Sequence, residues 1–177
     1  MNNSEIIIYL LPFVFIIHDF EEIIGFKTWF VRNGEWLSSR FPKLEKQVRH
    51  FKRLSTASFA FAVLEEFIII ALATILALLF QWYYAWIATF TVFGFHIIIH
   101  IIQWLIAGRY IPVIVTSLLS VPYIILGMNM ISTSFSLFEI ITCFLIGLPI
   151  AIINLLIIHK LMIKLDKHLK NENSKIN

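Results

Sequence analysis

Charge is what this chain has least of. Only 14% of its 177 residues are Asp, Glu, Lys or Arg, against about 25% in soluble domains. That shortage excludes a disordered segment, which needs low hydrophobicity and high charge, and it argues against a soluble globule. The single cysteine, Cys143, excludes an intramolecular disulfide framework and a cysteine-based zinc cage. The sequence has no nucleophilic-serine motif, no glycine-rich nucleotide loop and no His-Glu-x-x-His run. A net charge of only +3 gives no reason to expect a nucleic-acid partner. Period-two alternation, the signature of membrane barrel strands, is also missing.

What is present is apolar: 59% hydrophobic residues and a mean hydropathy of +0.86. A helix crossing the hydrocarbon needs roughly 20 mostly apolar residues. Five stretches meet this, about residues 5–26, 54–80, 82–107, 111–131 and 137–163. The expected fold is therefore an all-α membrane bundle of five transmembrane helices forming one domain over residues 1–163. A basic connection at 27–53 and a basic tail at 164–177 complete the chain. The first stretch lacks a basic leader and a small-residue cleavage site, so it is read as a retained span. Pro12, Pro112, Pro122 and Pro149 are compatible with packed membrane helices.

Orientation follows from the basic residues. Eight lie in the 27–53 connection, Arg109 lies between the third and fourth spans, and Lys160, Lys164, Lys167, Lys170 and Lys175 lie at the end. With five spans all 14 fall on one side. The positive-inside rule makes that side cytoplasmic, with the N-terminus outside, in a multi-pass plasma-membrane protein. The same basic connection suits anionic lipid headgroups.

Ionisable groups inside the spans carry the functional signal, because a charge at the bilayer centre costs about 2.5–3.5 kcal/mol on insertion scales. The first span holds His18, Asp19, Glu21 and Glu22; the second holds Glu65 and Glu66. The third holds His96 and His100, and the fifth holds Asn154 and His159. At ~1.5 Å per residue from the cytoplasmic ends, His18 lies about 12 Å deep, His96 about 16 Å and His100 about 10 Å. Glu22 comes out at about 6 Å, Glu65 and Glu66 at about 17 Å, and Asn154 at about 13 Å. Alternating helices thus bring their polar residues to one layer in the cytoplasmic half.

The local spacing agrees with this. His18, Glu21 and Glu22 stand at i, i+3 and i+4 on one helix face, and His96 and His100 share a face at i, i+4. Adjacent glutamates diverge by ~100°, so only one of Glu65 and Glu66 can point fully at the same partner. Imidazoles and carboxylates in this number suit zinc, iron or manganese, as one ion or two. The expected ligands are His18, Glu22, Glu66, His96 and His100, with Glu21 or Glu65 as general base. Asp19 and Asn154 are expected behind them. His159 reads as a helix-end residue, and His50 and His168 as solvated.

The first reading is a membrane-embedded metalloenzyme, a hydrolase or oxidoreductase, acting on a lipid or other apolar substrate. Beside it stand a proton or cation relay in a transport protein, and a polar network that only fixes helix packing in a membrane subunit or sensor. An oligomer fits any of them. Arg109 and Tyr110, just past the third span, suit either topology anchoring or contact with a headgroup or an apolar, lipid-like substrate.

The run His18-Asp-Phe-Glu21-Glu22 late in a first apolar span resembles the HXXEE-domain family of small bacterial membrane proteins. So does the later passage with His96, His100, Arg109-Tyr110-Ile-Pro112, Thr116 and Pro122, the likeness covering most of residues 6–126. Relatives carry Asn at the position of His96 and Gly at that of Val113. The resemblance implies that His18, Glu21, Glu22 and His100 belong to one site. It brings no established reaction.

Overall fold

The computed structural model describes residues 2–176, with side chains through residue 168. Lys170 and Lys175 of the basic tail lie outside the described side chains. Among the described residues the chain forms six α-helices and no strand. They are α1 (Asn3–Arg40), α2 (Glu45–Arg53), α3 (Thr56–Phe80), α4 (Tyr83–Ala107), α5 (Ile114–Ser134) and α6 (Leu137–Ile176), with a 3-10 turn at Pro42–Leu44 before α2. Four of them, α3 to α6, are long and apolar enough to cross a membrane.

The expected first span lies inside α1, which is not one of those four. Its apolar run ends in three carboxylates, Asp19, Glu21 and Glu22. The expected connection at 27–53 is also largely helical. No proline interrupts the stretch from Lys27 to Arg40, and α1 continues to Arg40 with Phe26 and Phe30 packed on α2. Phe26 and Phe30 pack on Phe51 at centroid distances of 4.9 and 5.2 Å, and Phe26 stacks on Phe59. Gly34 is needed here: a Cβ on it would stand 2.8 Å from the buried Val48.

Helices α1, α3, α4 and α5 form a four-helix ring in which α1 and α4 face each other diagonally, with α3 and α5 between them. Helix α6 packs outside the ring against α4 and α3, and exposes Leu145, Ile146, Ile150, Ile153 and Leu156. The core runs through Leu11, Phe15, Trp86, Ile87, Phe90 and Ile97, each at most 4% exposed. Trp86 and Phe90 stack with their rings 13° apart.

Contacts at both ends align α1 with α4. Near the start of α4, Trp86 Nε1–H donates to the Ile8 carbonyl at 3.2 Å. Proline explains why that carbonyl is free: Pro12 stands four residues on and has no N–H to return the helical bond. Just past the end of α4, Trp29 Nε1–H donates to the Tyr110 carbonyl at 2.8 Å. Pro122 and Pro149 likewise lie inside α5 and α6, whereas Pro112 belongs to the connection before α5.

Replacing Trp86 with Phe should preserve the stack and orphan the Ile8 carbonyl, costing about 1–3 kcal/mol. Adding Pro12→Ala restores the intrahelical donor and should recover most of that loss. Thermal unfolding of the single and double variants in mild detergent measures it; equal losses with and without Pro12→Ala would refute the assignment.

Candidate metal centre

Three imidazoles converge where α1 faces α4. His18 has no exposed surface, His100 is 8% exposed and His96 is half-buried. One nitrogen from each lies within 4.8 Å of the other two. The ring centroids are 5.4 Å apart for His18 and His96, 5.3 Å for His18 and His100, and 4.2 Å for His96 and His100. Phe93 lies against His18 and His96 and forms an apolar wall.

Hydrogen bonds behind the rings determine which nitrogens face inward. Thr116 has one hydroxyl proton, and its shortest acceptor is Glu21 Oε2 at 2.6 Å. With that proton committed, Thr116 Oγ1 accepts from His18 Nδ1, 3.1 Å away. His18 is then the Nδ1–H tautomer, and its Nε2 lone pair is buried with no hydrogen-bond partner. His100 is held in the same way. Its Nδ1 lies 3.1 Å from Gln103 Oε1, which can only accept, so His100 Nε2 presents a lone pair. That nitrogen is 2.8 Å from His96 Nε2 and 3.6 Å from Glu22 Oε1.

This arrangement fits a metal ion in its chemistry. Metal-binding histidines typically donate their other N–H to an oxygen that fixes the tautomer, as Thr116 and Gln103 do for His18 and His100. An orphaned buried nitrogen is costly unless something coordinates it. Two imidazole nitrogens on one tetrahedral ion at 2.0–2.1 Å stand roughly 3.3 Å apart. With its lone pair on Nε2, His100 accepts from His96 Nε2–H; to share an ion, His96 has to move that proton to Nδ1 and the two nitrogens have to part by about half an ångström.

The two glutamates of the first motif go different ways. Glu22 turns towards His100. Glu21 turns to the start of α5, where Oε2 takes the Thr116 N–H at 2.8 Å as well as the hydroxyl, and Oε1 takes the Tyr110 hydroxyl at 2.9 Å. A carboxylate at a helix N-terminus satisfies its free N–H groups and favours its dipole. It also explains how α5 starts without a side-chain cap of its own, from Val113 at φ 102°. Glu21 and His18 thus share the Thr116 hydroxyl.

In the second pair, Glu65 accepts from Asn154 Nδ2 at 3.0 Å and so joins α3 to α6. Of the two expected general bases, Glu21 is separated from His18 by the Thr116 hydroxyl and Glu65 is bonded to Asn154. Asp19, expected behind the ligands and facing away from His18, is 3% exposed, with Oδ1 4.0 Å from His18 Nε2 and no hydrogen-bond partner. One position along a helix did not turn it out of reach.

Arg109 and Tyr110 face α1. The Arg109 guanidinium lies 3.6 Å above the Trp36 ring, and Pro112 seats on Gly25, where a Cβ would come within 2.9 Å of the proline ring. Partial burial, and then its bond to Glu21, hold the Tyr110 phenol above its ordinary pKa, so it remains a donor. His168 is exposed as expected. His50 is half-buried instead of solvated, with its ring centroid 4.9 Å from that of His159.

Sequence reasoning missed Thr116 and Gln103 as supports. Gln103 stands three residues after His100 on the same helical face, which is a readable signal. For Thr116 the only signal was its place in the shared passage, with no role attached.

The fold and site define an all-α bundle with four helices long and apolar enough to cross a membrane and a histidine cluster inside it. It belongs to the HXXEE family, described as proteins of unknown function with an HXXEE motif, whose model matches residues 9–127. No curated protein and no solved structure matches it.

The tautomer assignment is testable without any metal. Histidine nitrogen chemical shifts should show His18 protonated at Nδ1 in the wild type and in Thr116→Ser, and lose that bias in Thr116→Val. An unchanged His18 tautomer in Thr116→Val would remove Thr116 from this role.

Proposed function

We propose that the chain is a multi-pass plasma-membrane protein that binds a divalent transition metal at His18, His96 and His100, with Glu22 as the fourth ligand. The observation that carries this reading is the convergence of three imidazoles with two tautomers fixed from behind and one buried nitrogen left without a partner. Zinc, iron and manganese all accept this donor set. A bound ion would supply Lewis-acid or redox chemistry. Asp19, with Oδ1 4.0 Å from His18 Nε2, is the group left to hold or move a proton there. Glu66 is the carboxylate available to a second ion.

We further read α1 as a fifth span, because it runs beside α4 from Ile8 at Trp86 to Trp29 at Tyr110. That gives an outside N-terminus and a cytoplasmic C-terminus, with all the basic residues on the cytoplasmic side. The substrate class this supports is a lipid or other apolar molecule, since the site lies within the apolar bundle. Residues 1–163 act as one domain.

Metal content of gently purified protein tests the reading. One or two equivalents of zinc, iron or manganese are expected in the wild type. Glu22→Ala and His100→Ala should reduce this at least tenfold while helicity is retained. A metal-free wild type that stays folded after incubation with each ion would overturn the metal assignment.

The 2.8 Å contact between His96 and His100, beside Asp19 and Glu22, favours a proton relay as the second reading. Proteoliposomes of such a protein would show proton flux that Glu22→Gln abolishes.

A further inference from the structure

Helix α2 carries a separate constellation that the metal centre does not use. Lys46, Arg49, His50 and Arg53 stand at i, i+3, i+4 and i+7, and together they line one open cleft. The other side of the helix is committed to packing. Val48 is 2% exposed against Gly34, and Phe51 packs on Phe26 and Phe30. Lys52 lies along Gly34 on that packed side, so it is excluded from the cleft. A short amphipathic helix is thereby pinned to α1 with its cations turned outward.

Its place in the chain suggests what those cations meet. Arg53 is followed by buried Leu54 and then by Ser55, whose side chain caps α3, the first of the four candidate spans. Asp166 of α6 accepts the Ser55 N–H at 2.9 Å and fixes that junction. The cleft therefore sits where an apolar helix begins, at the level a phosphate headgroup occupies. Glu45 bonds Arg49 at 3.0 Å and Asp166 stands at the Ser55 junction; against these two acids, Lys46, Arg49 and Arg53 leave the cleft net positive. Lysine and arginine around one opening suit a phosphate, which arginine can hold with two parallel N–H donors.

We propose that the Lys46–Arg49–His50–Arg53 cleft binds the headgroup of an anionic phospholipid. The assignment rests on the membrane reading of the chain and is independent of the metal. A phospholipid fits better than free phosphate because the span starting at Thr56 offers apolar surface for acyl chains beside the phosphate position.

The test uses the full-length protein in neutral detergent, titrated with phosphatidylglycerol, phosphatidylcholine or inorganic phosphate. Thermal unfolding and native mass spectrometry are the readouts. Phosphatidylglycerol should stabilise the wild type and remain bound, while the other two should not. The triple variant Lys46→Gln/Arg49→Gln/Arg53→Gln should bind phosphatidylglycerol about a hundredfold more weakly, at about fivefold per basic residue near a membrane surface. A charge-matched control, Arg32→Gln/Lys43→Gln/Lys164→Gln, should bind like the wild type. Glu45→Gln, which frees Arg49, should bind more tightly and covers the case of a triple variant that does not fold. Equal weakening in both triples would overturn the site in favour of diffuse surface charge. Equal stabilisation by inorganic phosphate would overturn the lipid assignment. Metal content should be unchanged in all three variants, so failure here is distinguishable from failure of the metal centre.

Discussion

The bond between Thr116 and Glu21 is the interaction on which the polar core depends. It starts α5, ties α5 to α1, and uses the one hydroxyl proton that would otherwise compete for His18. Remove it and His18 has no reason to keep its proton on Nδ1. The free Nε2 would then not be held towards His96 and His100. A single 2.6 Å contact thus links a helix terminus to the chemistry of the cluster.

The rest of the bundle protects that contact. The connection between α4 and α5 is clamped on α1 three times, by Arg109 on Trp36, by Tyr110 on Glu21 and Trp29, and by Pro112 on Gly25. The His-x-x-Glu-Glu run and the Arg-Tyr-x-Pro passage are therefore one construction. His18 and Glu22 present polar atoms to the cluster, and Glu21 receives the loop that the Arg-Tyr-x-Pro passage forms. Such a core is expensive to bury: unpaired polar atoms in a low-dielectric setting cost several kcal/mol each. Among the described residues no lysine or arginine pairs with Asp19, Glu22 or Glu66.

Much of this was legible in the sequence, and the remainder failed for identifiable reasons. Apolar runs located α3 to α6 to within a few residues at most ends, since hydropathy and helix length are local properties. They did not reveal that α1 continues to Arg40, because the part beyond the apolar run is held by packing of Phe26, Phe30 and Gly34 on α2, a tertiary contact that hydropathy does not register. Depth arithmetic brought His18, His96 and His100 to one layer, and they meet. It could not choose between Glu21 and Glu22, because both lie near the His18 face and the choice is made by α5. Asp19 was turned away on angle alone, yet His18 Nε2 and Asp19 Oδ1 lie only 4.0 Å apart.

The central claim is that the three histidines are preorganised to coordinate one ion from inside the bundle. Visible absorption of the purified protein loaded with cobalt(II) tests it most directly. A tetrahedral site of three imidazoles and a carboxylate predicts intense d–d bands between about 500 and 650 nm at one equivalent. Those bands should weaken in His18→Ala, His96→Ala and His100→Ala alike. Weak octahedral absorption that none of the three substitutions alters would contradict the account.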